Sequence, residues 1–134
     1  MARPASGQWS AHEHLAHLAR HHAVFLERLQ QILHEHRPPL GRYRAEEDPA
    51  WPEWSRLSTE EVFGRLTAQR ADIVQLIKGL SEAQTSRVGV HSLFGDMSLA
   101  HWVEFFLLHE AHHLYTVMIR LGQATQALRL EQAP

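Results

Sequence analysis

The sequence predicts an all-α protein built as one helical bundle, and three observations carry that prediction. Apolar residues recur at three- and four-residue spacing in three long stretches. Each of those stretches starts at a residue suited to cap a helix, most often a serine. No segment supplies a convincing strand with a partner strand to pair with. A length of 134 residues sets a single domain spanning 1–134, large enough for one core.

The elements follow in order. The first helix is expected over about 10–36. Ser10 and Glu13 have the spacing of a capping box, in which the serine hydroxyl and the glutamate carboxylate satisfy each other's backbone N–H groups. Leu15, Leu18, Phe25, Leu29 and Ile32 form its apolar face, and Pro38-Pro39 ends it. A long loop is expected over 37–57. It holds Tyr43, Trp51 and Trp54, which either line a pocket or pin the loop to the bundle. The second helix is expected over about 58–79, with Ser58 and Glu61 as a second capping box and Val62, Phe63, Leu66, Ile73, Leu76 and Ile77 on its apolar side. In the connection that follows, Val88-Gly89-Val90 is a short extended piece, too little to make a sheet. The third helix is expected over about 97–121, capped by Asp96 or Ser98 and closed by Gly122, with a short separate helix near 126–130. Being apolar most of the way round, it is expected to be central and buried, with His109 and His113 among buried residues.

Composition excludes several function classes. The formal net charge is −2, and the basic residues are scattered, so nucleic acid is not an expected partner. No apolar run is long enough to span a membrane, and no signal peptide is visible, so a cytoplasmic protein is expected. There is no cysteine, which removes disulfides, thiolate metal sites and cysteine nucleophiles; any reactive thiol must come from a bound small molecule. Histidine is abundant, at 12 residues. For His12, His22, His34 and His36 a solvated helix face is the expected setting.

His109 and His113 are different. Four residues apart on a helix, they lie one above the other and offer two imidazoles to one point. Buried side by side, they cannot both carry charge cheaply, and a metal takes both in neutral form. A third imidazole from another helix would complete a facial set with coordination positions left open. His17 is the first candidate; His14 and His21 share its face and are alternatives. Because metal-bound imidazoles must be deprotonated, affinity is expected to fall as pH drops through about 6.5. The run His109-Glu110-Ala111-His112-His113 also satisfies H-E-x-x-H, the zinc-protease pattern. Glu110 should point away from the histidine face, and only Glu131 could serve as a downstream third ligand, so a protease is disfavoured.

Two signatures then resemble a known family. Trp9, Ser10, Glu13, Leu15, His17 and Leu18 meet the pattern W-S-x-x-E-x-L-x-H-L. Gly95, Leu99, Trp102, His109, His112 and His113 meet a glycine-led final helix ending H-x-x-H-H. Together they resemble the DinB-like (DinB/YfiT) superfamily of metal-dependent helical-bundle enzymes. The resemblance implies an up-down four-helix bundle and a divalent transition metal (nickel, zinc, iron or manganese) held by His17, His109 and His113. It also implies a small-molecule substrate and either hydrolase-like chemistry or a transferase or isomerase reaction using a low-molecular-weight thiol. His21 or His14 would be placed to relay protons. A non-catalytic binding or stress-related bundle, with a structural metal or none, is the alternative. Relatives usually carry a full helix before the Trp-Ser pair, whereas eight residues precede Trp9 here. The first helix is therefore expected to be shortened or missing, one wall of the bundle open, and a homodimer formed to cover it.

Overall fold

The computed structural model describes residues 7–132. Its three long helices are α1 (Ala11–His34), α3 (Thr59–Lys78) and α5 (Leu99–Glu131), with one-turn helices α2 (Trp51–Trp54) and α4 (Glu82–Thr85) between them. The architecture is the expected all-α bundle. Both expected capping boxes form: Ser10 with Glu13 opens α1, and Ser58 with Glu61 opens α3. A third, Ser81 with Gln84, opens α4.

Helix α1 is the hub. It packs against both α3 and α5, because its apolar residues cover more than one side of the cylinder. Toward its C-terminus Phe25, Leu29 and Ile32 meet Ile73, Leu99, Trp102 and Phe106, all almost fully buried. Toward its N-terminus the residues are small: Ala11, Ala16 and Ala19 pack with Leu15, Trp54, Val62 and Val117. Alanines bring the backbones close and leave the larger positions on that half of the helix to histidine.

Four sequence expectations are corrected. First, there is a sheet. Strand β1 (Pro39–Leu40) pairs in parallel with β2 (Val88–His91), which pairs antiparallel with β3 (Gly95–Ser98). The sheet closes one end of the bundle, and Gly89 is its contact point. A Cβ there would lie 2.9 Å from Ile32 Cγ1 and 3.0 Å from both Leu40 Cδ1 and Trp102 Nε1, closer than side chains tolerate. Trp102 Nε1 donates to the Gly89 carbonyl at 3.3 Å. Arg87 donates to the carbonyls of Ile32 and Glu35, both at 2.7 Å, and so ties the sheet to the end of α1.

Second, the 37–57 stretch is ordered into β1, a 3-10 turn (Ala45–Glu47) and α2 rather than being one long loop. Helix α1 ends at His34, just before Arg37 turns into the left-handed region at φ 48° ahead of Pro38. Third, α5 does not stop at Gly122 but continues to Glu131 as one helix. A glycine inside a helix costs only about 1 kcal/mol, and the glutamine, alanine, leucine and arginine that follow are good helix formers. Fourth, α5 is not buried all round: Leu107, Leu108, Leu114, Tyr115, Met118 and Leu121 are exposed. That face of the helix is open to solvent among the described residues. The stretch before Trp9, expected to lack a full helix, lies outside the described residues apart from Gly7 and Gln8. No helix among the described residues is long and apolar enough to cross a membrane.

Candidate metal centre

Two helices build the site. Helix α1 presents His14, His17 and His21 on one face, at offsets of three and four residues. Helix α5 presents His109 and His113 one turn apart. The helices run side by side at this level, so rings from both meet. His17 Nε2 lies 3.1 Å from His109 Nε2. One ligand nitrogen from each of His17, His109 and His113 falls within 4.8 Å of the other two. The structure thus brings together the three residues expected to converge, although they sit on opposite ends of the chain.

The environment keeps these rings neutral. Burial, reinforced by neighbouring imidazoles, lowers His17 to about 3, His109 to about 4 and His113 to about 2. His21 is pushed well below its ordinary value by burial and by His109 and His17. Neutral rings offer lone pairs, which is the form a metal needs. The fit can be judged on the donors themselves. Two neutral imidazoles can share one hydrogen, but three nitrogens crowded at one point cannot all be satisfied by each other. A tetrahedral centre with bonds of about 2.0–2.1 Å sets its ligand nitrogens roughly 3.3 Å apart, close to the observed His17–His109 separation. The residues fit a divalent ion.

Outer contacts fix the rings. His14 Nδ1 is 2.8 Å from His113 Nδ1, so His14 holds the outer edge of that ring. The Nδ1 atoms of His17 and His109 are buried without a hydrogen-bond partner among the described residues. Aromatic packing orients those two rings instead. Trp9 sits 5.0 Å from His17, Tyr43 stacks on His17 at 5.7 Å, and His21 lies 4.0 Å from His109, centroid to centroid. Tyr43 is anchored in turn. Asp48 accepts hydrogen bonds from its hydroxyl at 2.8 Å, from Arg20 Nε at 2.6 Å and from the Ala50 N–H at 3.0 Å. Burial works to raise Asp48, but these donors outweigh it and hold the carboxyl below the usual range. Burial, aided by the bond to Asp48, raises the Tyr43 phenol, so Tyr43 stays protonated and committed to Asp48.

A cavity of about 720 Å³ opens over the triad. His17, His109 and His113 line it together with His21, Tyr43, Arg28, His91, Phe94 and Phe105. Tyr43 lines it as expected. Trp51 and Trp54 do not: Trp51 packs on Trp9 with the rings tilted, centroids 5.1 Å apart, and Trp54 is buried in the core. Of the two relay candidates, His21 faces the cavity and His14 stands behind His113. His22, expected on a solvated face, is fully buried, with Nδ1–H donating to the Leu18 carbonyl at 2.7 Å. Glu110 is turned away from the triad. It pairs with Arg70 and lies 3.4 Å from His22 Nε2, so the carboxylate of the protease pattern braces the helices.

Sequence reasoning missed Trp9, Arg28, His91, Phe94 and Phe105. One signal was available for Arg28: it follows His14 and His21 at intervals of seven, on the same stripe of α1. His91 carried no comparable signal, because its strand was not recognised.

Comparison with known proteins adds to this geometry. The family model described as the DinB superfamily matches residues 1–117. A relative from Oceanobacillus iheyensis, whose name assigns it provisionally to the metal-dependent hydrolases, is 28% identical over 116 residues. That match covers 87% of this chain and 66% of the relative, so the chain spans about two thirds of the relative's length. Among solved structures, YfiT from Bacillus subtilis matches with a TM-score of 0.71 at 19% identity, over 87% of this chain and 69% of that one. It is described, with the same reserve, as a metal-dependent hydrolase with an unusual four-helix bundle topology. At that identity the likeness establishes the bundle fold alone.

Proposed function

Because the chain belongs to the DinB superfamily, we propose that it is a metal-dependent enzyme of hydrolase type, holding a divalent transition ion on His17, His109 and His113. The observation that carries this reading is the convergence of three neutral imidazoles, from helices far apart in sequence, at the end of a substrate-sized cavity. The names of two relatives support it. Imidazole suits zinc, nickel and iron well, and manganese less so. A bound ion supplies Lewis-acid chemistry: it polarises a substrate oxygen or lowers the pKa of water or of a small thiol. With no cysteine in the chain, a thiol, if the reaction uses one, arrives as a small molecule.

The chain's own residues have separable tasks. His14 holds the His113 ring by its outer nitrogen. Trp9 covers one flank of the triad and keeps bulk water off it. His21 lines the cavity beside His109 and is our candidate to relay a proton there, against the burial that disfavours its charged form. Tyr43 shapes the wall without titrating.

The test is His113→Ala. Metal uptake by tag-free protein, measured by elemental analysis and zinc titration, should fall from about one equivalent to less than a tenth while the helical circular-dichroism signal persists. Undiminished uptake in that variant would remove the assignment. Wild-type protein that takes up no metal would favour a non-catalytic binding bundle.

The exposed apolar face of α5 supports a homodimer, the expectation drawn from the open wall. Light scattering at micromolar concentration checks it: a mass of two chains supports a second copy on that face, and a monodisperse monomer overturns it.

A further inference from the structure

About two turns beyond His21 on α1, the cavity wall carries an arginine with no carboxylate to balance it among the described residues. Arg28 is half-buried, lines the cavity, and lies over the Trp102 ring with its guanidinium carbon 5.6 Å from the centroid. One of its N–H groups donates to the Gly41 carbonyl, and among the described residues no acid pairs with it. Burial lowers its pKa, which marks the cost of keeping an uncompensated charge out of water. His91 stands nearby on the same wall. Its Nδ1 accepts from the backbone N–H groups of Leu93 at 3.0 Å and Phe94 at 3.1 Å. Two donors on Nδ1 fix the hydrogen on Nε2, which has no partner among the described residues. Arg42 and Arg44 add positive charge at the rim. Glu46 is the acid on the lining, and Arg44 is already 3.6 Å from Glu47. In a chain of net charge −2, this is a local concentration of donors and cations. The lining also holds Phe94 and Phe105, both packed on His91, with Phe105 one turn before His109 on α5.

We infer that the cavity takes a small amphiphilic oxyanion: a carboxylate or phosphate group met by Arg28 and His91 Nε2–H, on an apolar body lying along Phe94 and Phe105. Arginine's planar fork suits either headgroup. The binding mode fixes polarity, since the anionic end sits at Arg28 and the opposite end reaches the three histidines. The proposal rests on the metal-enzyme reading for what that opposite end meets, and stands apart from it for the anion contacts.

The experiment uses three probes, 3-phenylpropionate, 3-phenylpropionamide and phenyl phosphate, titrated calorimetrically into zinc-loaded and chelator-treated protein. Loss of a charge-assisted hydrogen bond weakens binding by about ten- to a hundred-fold. At least one of the acids should therefore bind about ten-fold or more tightly than the amide, with or without zinc. In Arg28→Gln the acids should fall to the level of the amide, while Arg28→Lys keeps most of the advantage and zinc uptake stays within about two-fold of wild type. Equal binding of acids and amide by wild-type protein overturns the proposal, and that comparison needs no variant to fold. So does an acid advantage that survives Arg28→Gln but disappears with zinc removal, which would put the headgroup on the ion. If wild-type protein takes up no zinc, the metal reading falls, and the acid–amide difference in the metal-free protein still decides this one.

Discussion

The two halves of α1 face the same neighbours and do opposite things. From Phe25 onward its inward residues are large and apolar, and they lock against Trp102, Phe106 and the sheet. From His14 to His21 it buries three imidazoles beside small and apolar residues such as Ala16, Leu18 and Ala19, and the Nδ1 atoms of His17 and His21 have no partner among the described residues. Unsatisfied buried polar atoms cost stability, typically about 1–3 kcal/mol each. One half of the helix therefore holds the bundle together, and the other is carried by it. Stability and the candidate site sit on one continuous element, separated by about one turn between His21 and Phe25.

Phe25→Ala should break the comparison hardest. Phe25 is almost fully buried and stacks on Phe106 at 4.1 Å, so truncation should cost about 3–5 kcal/mol, read as a lower urea midpoint with unchanged m-value. A loss below about 1 kcal/mol would show that the apolar half is not the anchor. Gly89→Ala should follow at about 1–3 kcal/mol, because the added methyl meets three side chains at once. Thermal unfolding measures it, and an unchanged Tm would mean the sheet docks more loosely than its contacts indicate.

The histidine half should show itself through pH. In the unfolded chain these imidazoles titrate near 6.5. In the fold His17, His109 and His113 are held at about 3, 4 and 2. Below pH 6.5 the unfolded chain binds more protons than the folded one. The stabilisation of the metal-free protein is therefore complete above 6.5 and is lost as pH falls toward 4 and below. Urea midpoints at pH 7.5, 6 and 5 should decrease in that order, and a flat series would contradict the buried, neutral rings. The same lowering moves proton competition for a metal below the value of about 6.5 expected of free imidazole, into the range where these rings titrate. The smallest effect belongs to His14→Ala: zinc uptake should persist but weaken by about ten- to a hundred-fold, the usual consequence of removing a contact behind a ligand.

What could be read from the sequence divides along physical lines. Local rules carried the helices, since Ser10 with Glu13 and Ser58 with Glu61 specify their own ends. Helical spacing carried the face shared by His109 and His113. The pairing of His17 with them depends on how two helices dock, and periodicity cannot supply that; the family resemblance did. Strands of two to four residues leave no period to detect, and Pro39-Leu40 finds its partner Val90-His91 about 50 positions further along the chain. Gly122 carries the mark of a helix end, yet its neighbours' propensity overrides it. The apolar circumference of α5 predicts burial, whereas one of its faces is uncovered among the described residues. His22 was misplaced because a histidine's own identity does not say whether a carbonyl waits one turn back.

One feature of the triad reaches past catalysis. His17 and His109 are 92 positions apart, yet their ring nitrogens touch. An ion held there, as proposed, would tie α1 to α5 much as a removable staple does, and would withdraw from the unfolded chain the freedom of a very large loop. Under that reading a chelator should loosen the whole bundle, so that holding the ion and keeping its shape would be one property of this molecule.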